Sequence, residues 1–117
     1  MTSQLMLSRF HDAPVVSCKF NFDDASFYIV AELWNDESEV YERLGINFKG
    51  VLSLKSSEIE ITGLQIEDIN SIDVIEQDAV CNVKVILNLG FGKPVWVLEL
   101  LCKNINIIPA DIMIKDD

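Results

Sequence analysis

The sequence predicts a mainly β, single-domain protein built on an antiparallel sheet. Apolar and polar residues alternate with a period of two along most of the chain, as they do in half-buried strands. Short groups of Gly, Pro, Asn, Asp and Ser separate these runs, which is typical of turns. The chain has 117 residues, 50% of them hydrophobic, and a mean hydropathy of +0.25. This length and composition fit one domain, residues 1–117, with its own core.

The first hairpin is predicted over residues 16–22 and 27–34. Apolar side chains from Cys18 to Phe22 alternate with polar ones, and a second alternating run ends at Trp34. The residues between the two runs, Asp-Asp-Ala-Ser, are compatible with a tight turn.

A long strand follows, because five apolar residues keep one parity: Leu44, Ile46, Phe48, Leu52 and Leu54. Gly50 lies in the middle of this strand and indicates a bulge or a close approach of the backbone. Two isoleucines then lead to a turn at Gly63, and alternation resumes at Ile72 and Val74.

The strongest turn signal is Gly-Phe-Gly-Lys-Pro at residues 90–94. It predicts that residues 80–89 and 95–104 pair as a long hairpin. Pro109 then separates a last apolar run at residues 112–114.

Helical signals are weak and allow at most one or two short helical turns, over Ser3–Arg9 and Asp36–Arg43. Residues 27–34 and 95–102 have apolar side chains on both faces of the predicted strands. Strands covered on both sides explain this pattern. We therefore expect a sandwich or a strongly curled sheet.

The sequence predicts a cytoplasmic protein without a membrane segment. The first ten residues lack the basic start and long apolar stretch of a secretory signal. The most apolar segment, Val95–Cys102, is far shorter than the roughly 20 residues that a membrane-spanning helix needs. Cys18, Cys81 and Cys102 are odd in number and lie in apolar runs, which predicts buried, reduced thiols.

The residue types exclude most catalytic and metal chemistry. His11 is the only histidine, so a two-histidine zinc motif is impossible, and we expect it to hydrogen-bond Asp12 where the first strand begins. Residues 68–73 have isoleucines where a calcium loop needs oxygen ligands. Gly90-x-Gly92 lacks the third glycine and the helix of a nucleotide-binding loop. We therefore predict no catalytic residue, cofactor or metal, and no enzymatic activity.

The charge is concentrated in two segments. The formal net charge is −10, which disfavours nucleic-acid binding. Residues 23–42 (the first acidic window) and residues 58–78 (the second acidic window) each hold seven Asp or Glu and no Lys or Arg. The windows are either a solvated surface that maintains solubility, or a face for a basic partner that is attracted by opposite charge.

Part of the chain resembles a known group of proteins. Phe10-His11-Asp12-Ala13-Pro14-Val15-Val16, a strand to Phe22, a strand over Phe27–Leu33 and the segment Ile46–Val51 resemble small bacterial β-proteins. These are immunity proteins of polymorphic-toxin and contact-dependent growth inhibition systems, and the resemblance covers residues 10–54. It implies a cytoplasmic antitoxin that binds and blocks a cognate toxin domain, often a nuclease. The family has no shared catalytic or contact residues to carry over.

Combined with the charge pattern, the resemblance predicts an immunity protein for a basic toxin domain, monomeric or dimeric when free. Loop-borne carboxylates and one exposed aromatic residue are the expected contacts. These are Trp34, Asp36, Glu37, Glu39, Glu67 and Asp68.

Three alternatives remain open. Apolar residues on both faces of the strands also suit a self-assembling structural or accessory subunit of a phage or secretion system. The second alternative is a small-ligand-binding domain or an enzyme. A phage-encoded inhibitor shares most features with an antitoxin.

Overall fold

The computed structural model describes residues 4–110 and confirms the mainly β, antiparallel prediction. The six strands in this range form one sheet with the order β1-β2-β3-β6-β5-β4, and every neighbouring pair is antiparallel. The elements are α1 (Gln4–Ser8), β1 (Val15–Asn21), β2 (Ser26–Asn35), β3 (Val40–Ser56), β4 (Asp68–Gln77), β5 (Val80–Asn88) and β6 (Trp96–Pro109).

Both predicted hairpins are confirmed by the strand register. β1 pairs with β2 up to Asn21, which lies opposite Ser26. β5 pairs with β6 from Leu87, which lies opposite Trp96, so residues 90–94 form the connection. In both cases the turn residues and the flanking alternation are local signals, and they agree with each other.

One predicted helical turn is wrong. Over Asp36–Arg43 the chain forms a four-residue turn, and β3 begins already at Val40. Val40 and Tyr41 pair with Asn35 and Trp34 as the closing residues of a third hairpin, β2–β3. Pairing with β2 outweighs the weak local helical signal in this segment. Ser3 and the run at 112–114 lie outside the described residues.

The sheet curls until its two outer strands meet. The Asp12 amide donates to the Ile69 carbonyl at 2.7 Å, and the Ile69 amide donates to the Ala13 carbonyl at 3.0 Å. The Val15 amide donates to the Glu67 carbonyl at 2.9 Å. We call this junction of residues 12–15 with residues 67–69 the seam. Of the two predicted arrangements, the described residues therefore form the strongly curled sheet.

The curled sheet encloses one hydrophobic core. The helix α1 and the turn after it place Leu7 and Phe10 in this core, each 1% exposed. Every strand from β2 to β6 contributes fully buried side chains, which explains the strict alternation in β5. Other large buried side chains are Phe27, Ile29, Ile46, Phe48, Ile69, Val83, Val85, Leu87, Leu98, Leu100 and Ile105.

Gly50 marks an irregularity in β3 and a close approach to β6, as the sequence predicted. Its φ is +62°, and a β-carbon at this position would lie 3.1 Å from the side chain of Lys103 on β6. A register shift follows between Val51 and Ser53. Beyond this irregularity, β3 extends past the end of β2, and within residues 4–110 its strand partner there is β6.

Residues 57–67 connect β3 to β4 without forming a strand. The predicted turn at Gly63 is present, with a φ of +72°. Ile61 in this connection is 72% exposed.

Candidate functional site

Two exposed aromatic side chains lie together at the end of the β2–β3 hairpin. Trp34 and Tyr41 are opposite each other in the register, and their ring centroids are 5.2 Å apart in an edge-to-face arrangement. Trp34 is 50% exposed and Tyr41 is 66% exposed. Because Leu33 points into the core, its neighbour Trp34 must point outward. An exposed aromatic pair of this size is typical of a contact surface.

Hydrogen bonds to Asn35 order the turn beside this pair. The Asn35 Oδ1 atom accepts hydrogen bonds from the amides of Glu37 at 2.9 Å and Ser38 at 3.3 Å. The Glu39 amide donates to the Asn35 carbonyl at 2.8 Å. Asparagine favours such turns because its side chain replaces a missing backbone partner. The exposed carboxylates of Asp36, Glu37 and Glu39 are therefore presented on an ordered turn.

The seam brings the two acidic windows together. The Glu32 amide donates to the Pro14 carbonyl at 3.0 Å, and Pro14 forms a β-bridge with Asp68. Glu32 from the first window and Asp68 from the second thus lie on either side of one chain segment. Two strand spacings separate their backbones, which corresponds to about 10 Å.

A shallow, open groove of about 510 Å³ runs between the seam and the aromatic pair. The Glu32 carboxylate on its wall binds Arg43, with 3.1 Å between Oε1 and Nε. Its lining residues are Arg9, His11, Asp12, Ala13, Pro14, Glu32, Leu33, Trp34 and Tyr41. The groove therefore offers aromatic rings and carboxylates to a ligand outside the protein.

The predicted contact residues are distributed unequally around this groove. Trp34 lines it, and Asp36, Glu37 and Glu39 are exposed on the adjoining turn. Asp68 is half-buried and accepts a hydrogen bond from the Asn88 amide group. The Glu67 carboxylate lies against Gly90, 3.3 Å from the position of a β-carbon there. Asp68 thus helps to hold β4 to β5, whereas the turn carboxylates remain available to a partner.

Sequence reasoning missed Tyr41. Two features of the sequence could have identified it. Trp34 points outward in the alternation of β2, and a hairpin turn that begins at Asn35 places Tyr41 directly opposite Trp34. The predicted helical turn over this segment concealed that pairing.

The His11 side chain lies beside Asp12 before the first strand, as expected, and also contacts Asn70 of β4. Its Nε2 atom lies 3.4 Å from Asp12 Oδ2, and its Nδ1 atom contacts the Asn70 carbonyl oxygen. Both ring nitrogens therefore have partners at the seam. Among the described residues, no group of three His, Cys, Asp or Glu side chains could hold a metal ion.

The cysteine thiols have raised pKa values. Burial raises the pKa of Cys18 to about 12. Burial, together with the neighbouring Cys81, also raises the pKa of Cys102 to about 12. The pKa of Cys81 is raised as well, mainly by desolvation. The thiolate is the reactive form of cysteine, so these thiols are poor nucleophiles at neutral pH.

These pKa values predict slow thiol modification in the folded protein. At pH 8 we expect a thiol-specific disulfide reagent to label native Cys18 and Cys102 at least about 100-fold more slowly than in urea, because the thiolate fraction is very small. Absorbance of the released chromophore measures both rates. Rapid labelling of the native protein would show that these thiols are accessible and ionised.

Comparison of the chain with protein-family models, with curated proteins and with solved structures gives no match. Within residues 4–110, no helix has the length and apolar character needed to cross a membrane. Inference about function therefore starts from the groove and the surface around it.

Proposed function

We propose that the chain is an immunity protein that binds and neutralises a cognate toxin domain with a basic surface. The observation that carries this proposal is the exposed Trp34–Tyr41 pair, which is bordered by carboxylates of the first acidic window and lies beside the seam. We call the pair together with Asp36, Glu37 and Glu39 the hairpin patch. Its members occupy one end of the β2–β3 hairpin.

The chemistry of the hairpin patch fits a cationic protein surface. Tryptophan and tyrosine are enriched among the residues that contribute most to protein–protein binding, and their ring faces attract Arg and Lys side chains. The neighbouring carboxylates accelerate encounter with a positively charged partner. A nuclease active site must attract phosphates and is therefore basic, so an acidic protein that covers it blocks access.

The patch is also preorganised. Asn35 orders the turn through its side chain, and Trp34 packs edge-to-face on Tyr41. Binding therefore costs little conformational entropy on this side of the interface, which favours affinity.

The test uses a toxin domain encoded directly upstream of the gene for this chain, and the absence of such a gene would count against the immunity function. We expect the purified wild-type protein to bind that domain in calorimetry and to abolish its activity at a one-to-one ratio. Replacing Asp36, Glu37 and Glu39 together by lysine should reduce the association rate at least about tenfold at low salt, because steering by opposite charge is lost. Stopped-flow fluorescence at several salt concentrations measures this rate.

A matched control changes the same charge elsewhere. This control variant replaces Glu58, Glu60 and Glu76 by lysine, and all three residues are exposed. It has the same net charge as the first variant and leaves the hairpin patch unchanged. If both triple variants lose association rate equally, only total charge matters and the patch is not the contact surface. A neighbouring toxin domain that the wild-type protein neither binds nor inhibits would refute the immunity function itself.

A further inference from the structure

Two of the three cysteines lie directly opposite each other in the sheet. Cys81 of β5 and Cys102 of β6 are register partners on neighbouring antiparallel strands, and neither has any exposed surface. Their thiols form a side-chain hydrogen bond with each other. We call Cys81 and Cys102 the cysteine pair. The fold thus holds two sulfur atoms in contact on the inward face of the sheet.

The backbone around the cysteine pair has nearly the geometry that a disulfide needs. Directly opposed residues of an antiparallel pair have α-carbons about 4.5–5.5 Å apart, which lies within the range that disulfides bridge. Their β-carbons are about 4.5–5.5 Å apart, whereas a disulfide requires about 3.5–4.5 Å. An approach of about 1 Å therefore suffices, and the strands keep their register.

The third cysteine is placed differently. Cys18 lies on β1, opposite Ile29 of β2. In one direction around the sheet β2 and β3 separate β1 from β6, and in the other direction β4 lies between the seam and β5. At least two strand spacings, about 10 Å, therefore separate β1 from either strand of the cysteine pair. A disulfide cannot span more than about 7 Å between α-carbons without backbone movement, so the geometry selects one pair.

We propose that Cys81 and Cys102 form a disulfide when the chain folds in the presence of a small disulfide oxidant such as glutathione disulfide, and that Cys18 takes no part in it. The thiolate of one cysteine attacks a glutathione sulfur and releases one glutathione thiolate. The thiolate of the second cysteine then attacks the cysteine sulfur of the mixed disulfide and releases the second glutathione. Two protein thiols are oxidised to one disulfide, and one glutathione disulfide is reduced to two molecules of glutathione, which take up the two protons.

Burial determines when this exchange takes place. The cysteine pair has no exposed surface, so the oxidant reaches it before folding is complete or when β5 and β6 open locally. The native thiols are therefore slow to react, in agreement with their expected slow labelling. Reducing conditions keep the pair as thiols, and oxidising conditions favour the disulfide.

The folded chain should favour the disulfide strongly. A disulfide stabilises a protein mainly by restricting the unfolded chain, and the effect grows with the length of the loop that it closes. Here the loop runs from residue 81 to residue 102 and includes the whole β5–β6 connection. By the thermodynamic cycle, a bond that stabilises the folded chain is favoured by folding to the same extent. Folding should therefore shift the exchange equilibrium toward the disulfide about 100-fold.

The proposal does not depend on the immunity function. The cysteine pair lies on the inward face of β5 and β6, and the hairpin patch lies on the outside at the end of β2 and β3. Oxidation can therefore be measured without a partner protein.

The first experiment compares the folded and the unfolded chain in the same glutathione buffer at pH 8. It uses Cys18→Ala, which leaves the cysteine pair as the only cysteines. One sample is diluted from urea to refold, and the other is kept in urea. Acid quenching, alkylation in urea and mass measurement give the ratio of disulfide to dithiol in each sample. We expect this ratio to be at least about 100-fold higher in the folded chain. An equal or lower ratio in the folded chain would overturn the proposal.

Peptide mapping of the wild-type protein identifies the linked cysteines without any substitution. Cleavage after Lys and Arg places the three cysteines in separate peptides, within residues 10–19, 56–84 and 85–103. The protein refolded in glutathione disulfide should give a link between the second and third of these peptides. Its urea midpoint should lie about 1 M or more above that of the reduced protein. A link to residues 10–19, or a lower midpoint after oxidation, would contradict the proposal.

Discussion

Replacing Phe48 by alanine should lower the free energy of unfolding by about 3–5 kcal/mol. Phe48 lies in β3 with no exposed surface, and its ring stacks on Phe27 of β2 with 5.9 Å between centroids. Phe27 in turn contacts Phe20 of β1 at 6.3 Å. Removal of the Phe48 ring leaves a cavity at the centre of three paired strands. The strands cannot move together to fill this cavity, because backbone hydrogen bonds hold them in place.

Phe91→Ala is the control, because Phe91 lies in the β5–β6 connection and its side chain is fully exposed. This variant should change the free energy of unfolding by less than about 0.5 kcal/mol. Urea denaturation monitored by tryptophan fluorescence measures both, and the m-value should be unchanged. A loss below about 1 kcal/mol for Phe48→Ala would contradict the central position of Phe48 in the core.

The parts of this fold that were predictable are those fixed by neighbouring residues. The β5–β6 hairpin has two glycines and a proline in its turn and strict alternation on β5. Turn residues and hydrophobic pattern agree there, so the pairing follows. Gly50 was predictable for the same reason, since a glycine within a strand pattern indicates a local irregularity.

The seam was not predictable, because it depends on residues far apart in the sequence. Pro14 meets Asp68 because the six-stranded sheet curls and brings its two outer strands together. No local pattern around Pro14 indicates that partner. The sequence suggested that the two acidic windows form one face for a partner, and the seam explains how Glu32 and Asp68 approach each other.

The candidate site was partly predictable for a related reason. The exposure of Trp34 follows from strand parity, but the position of Tyr41 depends on the register of the β2–β3 hairpin. That register follows from the length of the turn between Asn35 and Val40, which the Asn35 side chain helps to order. Glu67 was predicted as a contact residue together with the turn carboxylates, and its side chain lies at a different place, against Gly90, which has no β-carbon to exclude it.

Trp34→Ala should weaken binding of the proposed toxin domain at least about 30-fold, mainly through faster dissociation. Large aromatic side chains at the centre of an interface often contribute 2 kcal/mol or more, and 1.4 kcal/mol corresponds to a factor of ten. Since Trp34 is 50% exposed and points away from the core, the free energy of unfolding should change little. Surface plasmon resonance measures the two rate constants separately.

A double-mutant cycle with Tyr41 distinguishes a shared anchor from two separate contacts. Because the two rings contact edge-to-face, Tyr41→Ala should cost less binding energy in the Trp34→Ala background than in wild type. Phe91→Ala removes an aromatic ring that is more exposed than either of these and lies at a different turn, and this variant should bind like wild type. If Phe91→Ala weakens binding and Trp34→Ala does not, the toxin contacts the β5–β6 connection, and the hairpin patch is not the binding surface.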